Sequence, residues 1–199
     1  MSSPSMPHAP VGANAAAATP AHAPRVLLLS TSLHPHSRSR ALAAHARGVL
    51  GRLGARTDWL DCRSLPLPYM DGDSAHAHEA TGALRAAIAQ ADAVVLATGI
   101  YNYDASAVAK ACLELGGRAW NDKVVALLAA SGSLTSCMAP MGIASSLMLD
   151  FRCLIVPVFP VATAAAFAGD ELVDPECVKR TQLACERLMA LCAVERPRA

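Results

Sequence analysis

The chain lacks any marked charge imbalance: 17 Lys and Arg residues stand against 16 Asp and Glu, a formal net charge of +1. No global field recruits nucleic acid or an anionic membrane, so a negatively charged ligand must be held by local geometry. Also missing is an apolar run long enough to cross a bilayer. There is no CxxC pair. The seven cysteines, at 62, 112, 137, 153, 177, 185 and 192, are odd in number and lie mostly in apolar stretches, which points to reduced thiols in a cytoplasmic protein. The histidines do not stand at ligand spacing with the cysteines, so no structural zinc or other metal site is expected. Absence of GxGxxG removes support for a dinucleotide-binding Rossmann domain, and absence of GxxxxGK[ST] does the same for a P-loop NTPase. No repeat at solenoid or propeller period is evident.

What is present is a chain of 199 residues, 53% hydrophobic, enough for one well-buried core and too short for two ordinary domains. Residues 1–24 are Ala-, Pro-, Ser- and His-rich without hydrophobic periodicity, and burial cannot offset the entropy of ordering them. They are expected to be a disordered tail ahead of a domain at 25–194. The tail has neither the basic start and Leu-rich centre of a signal peptide nor the arginines of a transit peptide, the first being Arg25.

From Arg25 onward, short apolar runs alternate with helical patterns. Strands are expected at 25–30, 56–61, 92–99, 123–131 and 153–158, and helices at 37–53, 78–90, 104–117, 140–150 and 175–192. The strands are mostly continuously apolar, as in a parallel sheet covered on both faces. The expected fold is therefore α/β, a doubly wound five-stranded parallel sheet in the order 2-1-3-4-5 with helices on both faces. Its ligand crevice should lie at the carboxyl ends, after strands one, three and four. Residues 161–176 read as a surface loop or small hairpin.

Three loops meet at that crevice. Residues 30–40 carry hydroxyls and Arg38 at the start of a helix, where amides and the helix dipole favour an anion. The plainer alternative is that Ser37 or Ser39 only caps the helix. Residues 98–104 contain Gly99, which permits close backbone approach, and two tyrosines able to flank a planar ring. The alternative there is an ordinary turn with Asp104 as N-cap. Residues 131–137 are small, and their amides can approach a ligand edge or form a flexible turn.

These stretches resemble the NAD(P)H-dependent FMN reductase family of flavodoxin-like flavoproteins. Residues 31–39 are similar to the family's phosphate loop, G-S-x-R-x-x-S-x-[ST], with Ser32, Ser37 and Ser39 in register. Residues 99–102 resemble its P-x-Y-N segment, Lys110 and Glu114 its K-x-x-[IL]-[DE] helix, and Ser131, Gly132 and Ser133 the loop that approaches the isoalloxazine; the likeness runs from Arg25 to the final helix. It implies FMN as cofactor and NADPH or NADH as reductant, with hydride passed to the flavin and on to a flavin, quinone or similar small acceptor. Ser32, His34, Ser37, Arg38 and Ser39 would then hold the phosphate. Gly99, Ile100, Tyr101 and Asn102, with Ser131, Gly132, Ser133 and Leu134, would contact the ring. A homodimer or homotetramer is implied, and no catalytic acid or base is assigned. Two departures stand out: His34 replaces an arginine, making one phosphate contact weaker or pH-dependent, and Gly99 replaces a proline, leaving that turn less rigid.

Two other readings remain. A flavodoxin-like FMN electron carrier would share the fold, although such carriers tend to be acidic for docking and this chain is nearly neutral. Residues 112–118 fit the C-x5-R spacing of a cysteine phosphatase, but Cys112 falls inside an expected helix rather than at a helix N-terminus. Cys137 borders the expected flavin loop, with an incidental thiol as the default.

Overall fold

A computed structural model describes residues 23–195, so the expected disordered tail lies, except for its last two residues, outside the described residues. The chain runs β1 (Arg25–Ser30), α1 (Arg38–Arg52), β2 (Arg56–Asp61), α2 (Glu79–Gln90), β3 (Ala93–Tyr101), β4 (Asp104–Ala105) and α3 (Ala107–Gly116). It continues through β5 (Val124–Ala130), α4 (Met141–Phe151), β6 (Leu154–Ile155), β7 (Val161–Ala162), β8 (Phe167–Ala168), β9 (Glu171–Leu172) and α5 (Pro175–Glu195).

The main sheet has the order β2-β1-β3-β5-β6, with all of these neighbours parallel. Because successive side chains on a strand point to opposite faces, each central strand feeds two cores. Val26, Leu28, Val95 and Leu128 face α1 and α5, meeting Leu42, Val49, Leu50, Ala184 and Leu188. Leu27, Leu29, Val94, Leu96, Val125 and Leu127 face the other way, onto Leu84 and Ile88 of α2, Cys112 and Leu115 of α3, and Ile143 and Leu147 of α4. Two apolar faces explain why these strands read as continuous rather than alternating runs. The registers Ser30↔Ala97 and Gly99↔Ala130 bring the loops after β1, β3 and β5 out at one end of the sheet.

Four details differ from the sequence expectation. The fifth strand, expected at 153–158, is two fragments: β6 pairs with Val124 and Val125, while β7 pairs with Ala129 and Ala130. Pro157 and Pro160 fall between them, and proline neither donates to a ladder nor fits inside a regular strand. Consequently part of the expected 161–176 surface loop belongs to the sheet, the β8–β9 hairpin following it with Ala166 and Leu172 buried. Asp104 does not cap α3, because β3 continues to Tyr101 and turns back so that Asp104 pairs with it; Ser106 is the cap, accepting from the Ala109 amide. Finally, an 18-residue window over Leu134–Phe151 is apolar enough for a membrane span, with a mean hydropathy of 1.2. It is not one helix, however, since its α-helical part, α4, has 11 residues and rises about 16 Å against the ~30 Å of a bilayer core.

Candidate functional site

At the end of β1 the chain leaves the sheet through a buried run of hydroxyls, Ser30, Thr31 and Ser32, and then turns outward at Leu33, His34, Pro35 and His36. It re-enters at Ser37, whose extended backbone (φ −85°, ψ 119°) and side chain cap α1 by accepting from the Arg40 amide. Ser37 Oγ also lies 3.0 Å from Ser39 Oγ. Capping and the anion-site reading therefore coexist at Ser37. The first turn of α1 holds no acidic residue, so the positive end of the helix dipole has no carboxylate beside it. Arg38 is exposed and makes no side-chain hydrogen bond or ion pair among the described residues. Ser30 Oγ is fully buried without a partner, directly before this loop. The His36 amide donates to His34 Nδ1 at 3.0 Å, which places the proton of a neutral His34 ring on Nε2.

One residue that sequence reasoning did not single out holds this loop together. Arg40 sends Nε to Asp61 Oδ2 (2.8 Å), Nη1 to the His34 carbonyl (2.9 Å) and the Pro35 carbonyl (3.2 Å), and Nη2 to the Ser32 carbonyl (2.8 Å) and Asp61 Oδ1 (3.2 Å). In sequence, an arginine in the first turn of a helix reads as a solvated residue. Only the fold brings the end of β2 under it.

The loop after β3 is a tight hairpin. Ile100 pairs with Ala105 and Tyr101 with Asp104, and the two turn residues, Asn102 and Tyr103, have φ of 50° and 64°. Such left-handed pairs match the twist of a two-residue hairpin; asparagine adopts the conformation readily, whereas tyrosine does so at a cost of roughly 1–2 kcal/mol. The Tyr101 ring lies back across Gly99, where an added Cβ would come within 3.2 Å of ring atom Cε2. Beneath the hairpin, Thr31 Oγ1 donates to the Ala97 carbonyl at 3.0 Å and sits 3.3 Å from Ser106 Oγ. The Ser106 hydroxyl is in turn 3.1 Å from Thr98 Oγ1. Three buried hydroxyls thus join the loop after β1 to the loop after β3. After β5, the Ser131 amide donates to the Ala162 carbonyl of β7, Ser131 Oγ donates to the Ser133 carbonyl at 2.6 Å, and Ser133 and Thr135 pair through their hydroxyls.

Together these loops wall a cleft of about 440 Å³, within the range of cofactor and substrate sites. Ser32, His34, Ser37, Arg38 and Ser39 line one end, and Gly99, Ile100, Tyr101, Ser131 and Gly132 the other. His36 and Ala130 line it as well, without having been expected. Asn102, Ser133 and Leu134 do not line it: Asn102 is spent on the hairpin turn, while Ser133 and Leu134 lie farther along the loop, with Leu134 64% exposed. A larger cavity, about 580 Å³, lies elsewhere between Met70, Glu114, Arg118, Asn121, Phe151 and Arg152. Its charges are of both signs and mostly exposed, so the hydroxyl-rich cleft is the better-built site. The donor set fits a ligand with an anion at one end, beside hydroxyls and a helix N-terminus, and a flat group at the other, beside side-chain-free Gly99 and Gly132.

Cys112 is not a nucleophile of this site. It is buried in α3, and its hydrogen bond with Cys62 Sγ (3.5 Å), together with burial, holds its thiol well above the usual cysteine range. The phosphatase spacing is therefore incidental.

Comparison with known proteins agrees with this geometry. Curated proteins give no significant match. Among solved structures, an apo NADH:FMN oxidoreductase (EMOB) superposes with a TM-score of 0.72 at 20% identity, over 84% of this chain and 89% of its own. The NAD(P)H:(acceptor) oxidoreductase FerB of Paracoccus denitrificans gives 0.70 at 21%, over 85% and 97%. A WrbA-like flavodoxin of Agrobacterium tumefaciens gives 0.62 at 15%, over 87% and 100%. These likenesses establish the flavodoxin-like fold. A family model for NADPH-dependent FMN reductase matches residues 24–167. With that match over most of its length, the chain belongs to the NADPH-dependent FMN reductase family, enzymes that bind FMN and take a reduced nicotinamide as reductant.

Proposed function

We propose that the cleft binds FMN with its phosphate against Ser32, His34, Ser37, Arg38 and Ser39. Its isoalloxazine would lie along Gly99, Ile100 and Tyr101 and along Ser131 and Gly132, the expected residues of these two loops that line the cleft. The observation that carries this reading is the two-ended cleft, with hydroxyls and an uncompensated helix N-terminus at one end and two glycines at the other. FMN held there would supply the hydride-transfer chemistry, between NADPH or NADH as reductant and a flavin, quinone or similar small acceptor.

The protein's own task is to hold and orient. Serine hydroxyls and first-turn amides donate to the phosphate, and Arg38 supplies a charge-assisted bond. Gly132, open on its side-chain face, lets backbone approach the flavin ring, Gly99 makes room for the Tyr101 ring beside it, and amides of residues 132–134 would meet negative charge where it develops. Tyr101 supplies packing surface beside the cleft, its ring resting on Gly99. No side chain of the cleft is assigned as acid or base.

The exposed apolar side chains on and just before α4, Met138, Met141, Met148 and Leu149, support a homodimer or homotetramer. Light scattering checks this directly. A cytoplasmic location is supported by the seven free cysteines.

The test is an anaerobic titration. Protein loaded with FMN should lose its oxidised flavin absorbance on addition of NADPH or NADH and regain it with a quinone or free flavin. Replacing Ser37 and Ser39 by Ala should weaken FMN by about 10–100-fold and leave riboflavin nearly unchanged, because only FMN carries the anion those hydroxyls would meet. Equal losses for both flavins refute the phosphate assignment, and FMN that neither nicotinamide reduces refutes the enzymatic one.

A further inference from the structure

We propose that Arg40, braced by Asp61, is a positioning residue that holds the 31–37 loop in its anion-binding shape without touching the anion. The inference rests on the reading that this end of the cleft takes the FMN phosphate. A guanidinium has five N–H donors, and all five of Arg40's are engaged: two on Asp61 and three on the carbonyls of Ser32, His34 and Pro35. None remains for a ligand. Arg38, two residues earlier, lines the cleft with its donors unspent. The two arginines therefore divide the work, Arg38 supplying charge to the ligand and Arg40 supplying shape to the loop.

The shape matters for a specific reason. A peptide unit is planar and trans, so a fixed carbonyl fixes the following N–H on the opposite side. Holding the Ser32 carbonyl sets the Leu33 amide, and holding the Pro35 carbonyl sets the His36 amide, which goes to His34 Nδ1. Three negative carbonyl ends that could otherwise turn toward the cleft terminate on one cation. Asp61 is the anchor because it sits level with the loop's root: it is the register partner of Ser30, and Oδ1 also accepts from the Arg63 amide at 3.0 Å. Lysine cannot substitute, since a point ammonium with three donors cannot span a carboxylate and three carbonyls. The strut also answers a gap in the loop. His34 stands where the family motif has arginine, and here the backbone carbonyl of that same residue is held by an arginine from α1.

The experiment uses full-length protein freed of flavin and measures FMN and riboflavin dissociation constants by flavin fluorescence. Riboflavin binding reports that the fold is intact, and the ratio of the two constants reports the phosphate end alone. Arg40→Lys keeps the charge and loses the fork, Arg40→Met loses both and leaves Asp61 unpaired by it, and the double variant Arg40→Met, Asp61→Met removes both charges. Each is expected to lower the FMN preference by about tenfold or more with riboflavin nearly unchanged, whereas a merely structural loss weakens both flavins together. Asp61→Asn, a milder cut, is expected to lower it by about threefold. If Arg40→Lys keeps the wild-type ratio, Arg40 acts only as a charge and the proposal is overturned. If the double variant regains the ratio that Arg40→Met alone loses, an orphaned Asp61 was repelling the phosphate and the proposal is again overturned. Wild-type protein that does not prefer FMN over riboflavin sinks the phosphate reading itself, a result distinct from either.

Discussion

The loop after β1 is tied to parts of the chain far away in sequence, whereas the loop after β5 bonds mostly to itself. Arg40 reaches 21 residues to Asp61, and Thr31 reaches 66 to Ala97 and 75 to Ser106. Across the cleft, Ser131 to Ser133 and Ser133 to Thr135 are contacts over two residues, and the short turn at Leu134–Ser136 closes locally. Among the described residues, only the root of that loop is fastened, through the Ser131 amide on β7. A segment held by long-range contacts keeps its geometry while the rest of the structure stays folded, and one held by local contacts opens at little cost. The comparison separates two jobs at one cleft: anchoring at the β1 end and accommodation at the β5 end.

The largest expected effect is a control lying outside both loops. At Gly116 an added Cβ would come within 2.4 Å of Trp120 Nε1 and 3.1 Å of Ile88 Cδ1, so Gly116→Ala should cost about 2–4 kcal/mol through overpacking and loss of the indole's bond to the Cys112 carbonyl. Denaturant melts should show that loss with the FMN-to-riboflavin ratio unchanged. A changed ratio would mean that the anchored end is not independent of the core.

Thr31→Val cuts the hydroxyl link between the loops after β1 and β3 and is expected to cost about 1–3 kcal/mol, with FMN affinity falling along with stability. If binding is untouched, the anchoring runs through Arg40 alone.

Alkaline pH probes the support behind the anchored end. Cys185 packs beneath α1, and burial pushes its thiol up to about 12. A group whose folded pKa is raised contributes stability that is complete below its unfolded value, near 9, and is lost as pH rises toward the folded one. Unfolding free energy from denaturant melts should therefore decline from about pH 9 upward, by at most ~1.4 kcal/mol per pH unit from this thiol. Cys185→Ala should flatten the decline, and an unchanged slope would assign it to other groups.

The smallest effect belongs to the other loop. Ser133→Ala with Thr135→Ala should change stability by less than about 0.5 kcal/mol and FMN affinity by about threefold or less, while shifting KM for the acceptor. A large loss of FMN would erase the distinction between the two ends.

Much of this arrangement is legible in the residues. Continuous apolar runs at β1, β3 and β5 imply burial on both faces, and that alone leads to the doubly wound sheet and its crevice. Helix α1 reads cleanly because Ser37 precedes a strong periodic stretch and proves to be its cap. What escaped the sequence was held by long-range partners or by competing signals. Nothing local marks Arg40, since its role exists only once Asp61 at the end of β2 lies beneath it. Asp104 reads as a helix cap because aspartate commonly is one, but the turn at Asn102 and Tyr103 claims it for a strand. The apolar run at 153–158 outweighed Pro157 within it and Pro160 beyond it in the strand expectation, and the prolines prevailed in the fold.

Those same prolines shape the rim of the sheet. An edge strand normally offers a row of unpaired donors and acceptors to any extended chain that meets it. Here the β6 and β7 margin presents two-residue fragments separated by a stretch with proline at positions 157 and 160. A second chain would find too short a ladder to grip on either side of the break. An enzyme whose central strands are largely Val, Leu and Ala is thereby guarded, along that border, against adding strands from its neighbours.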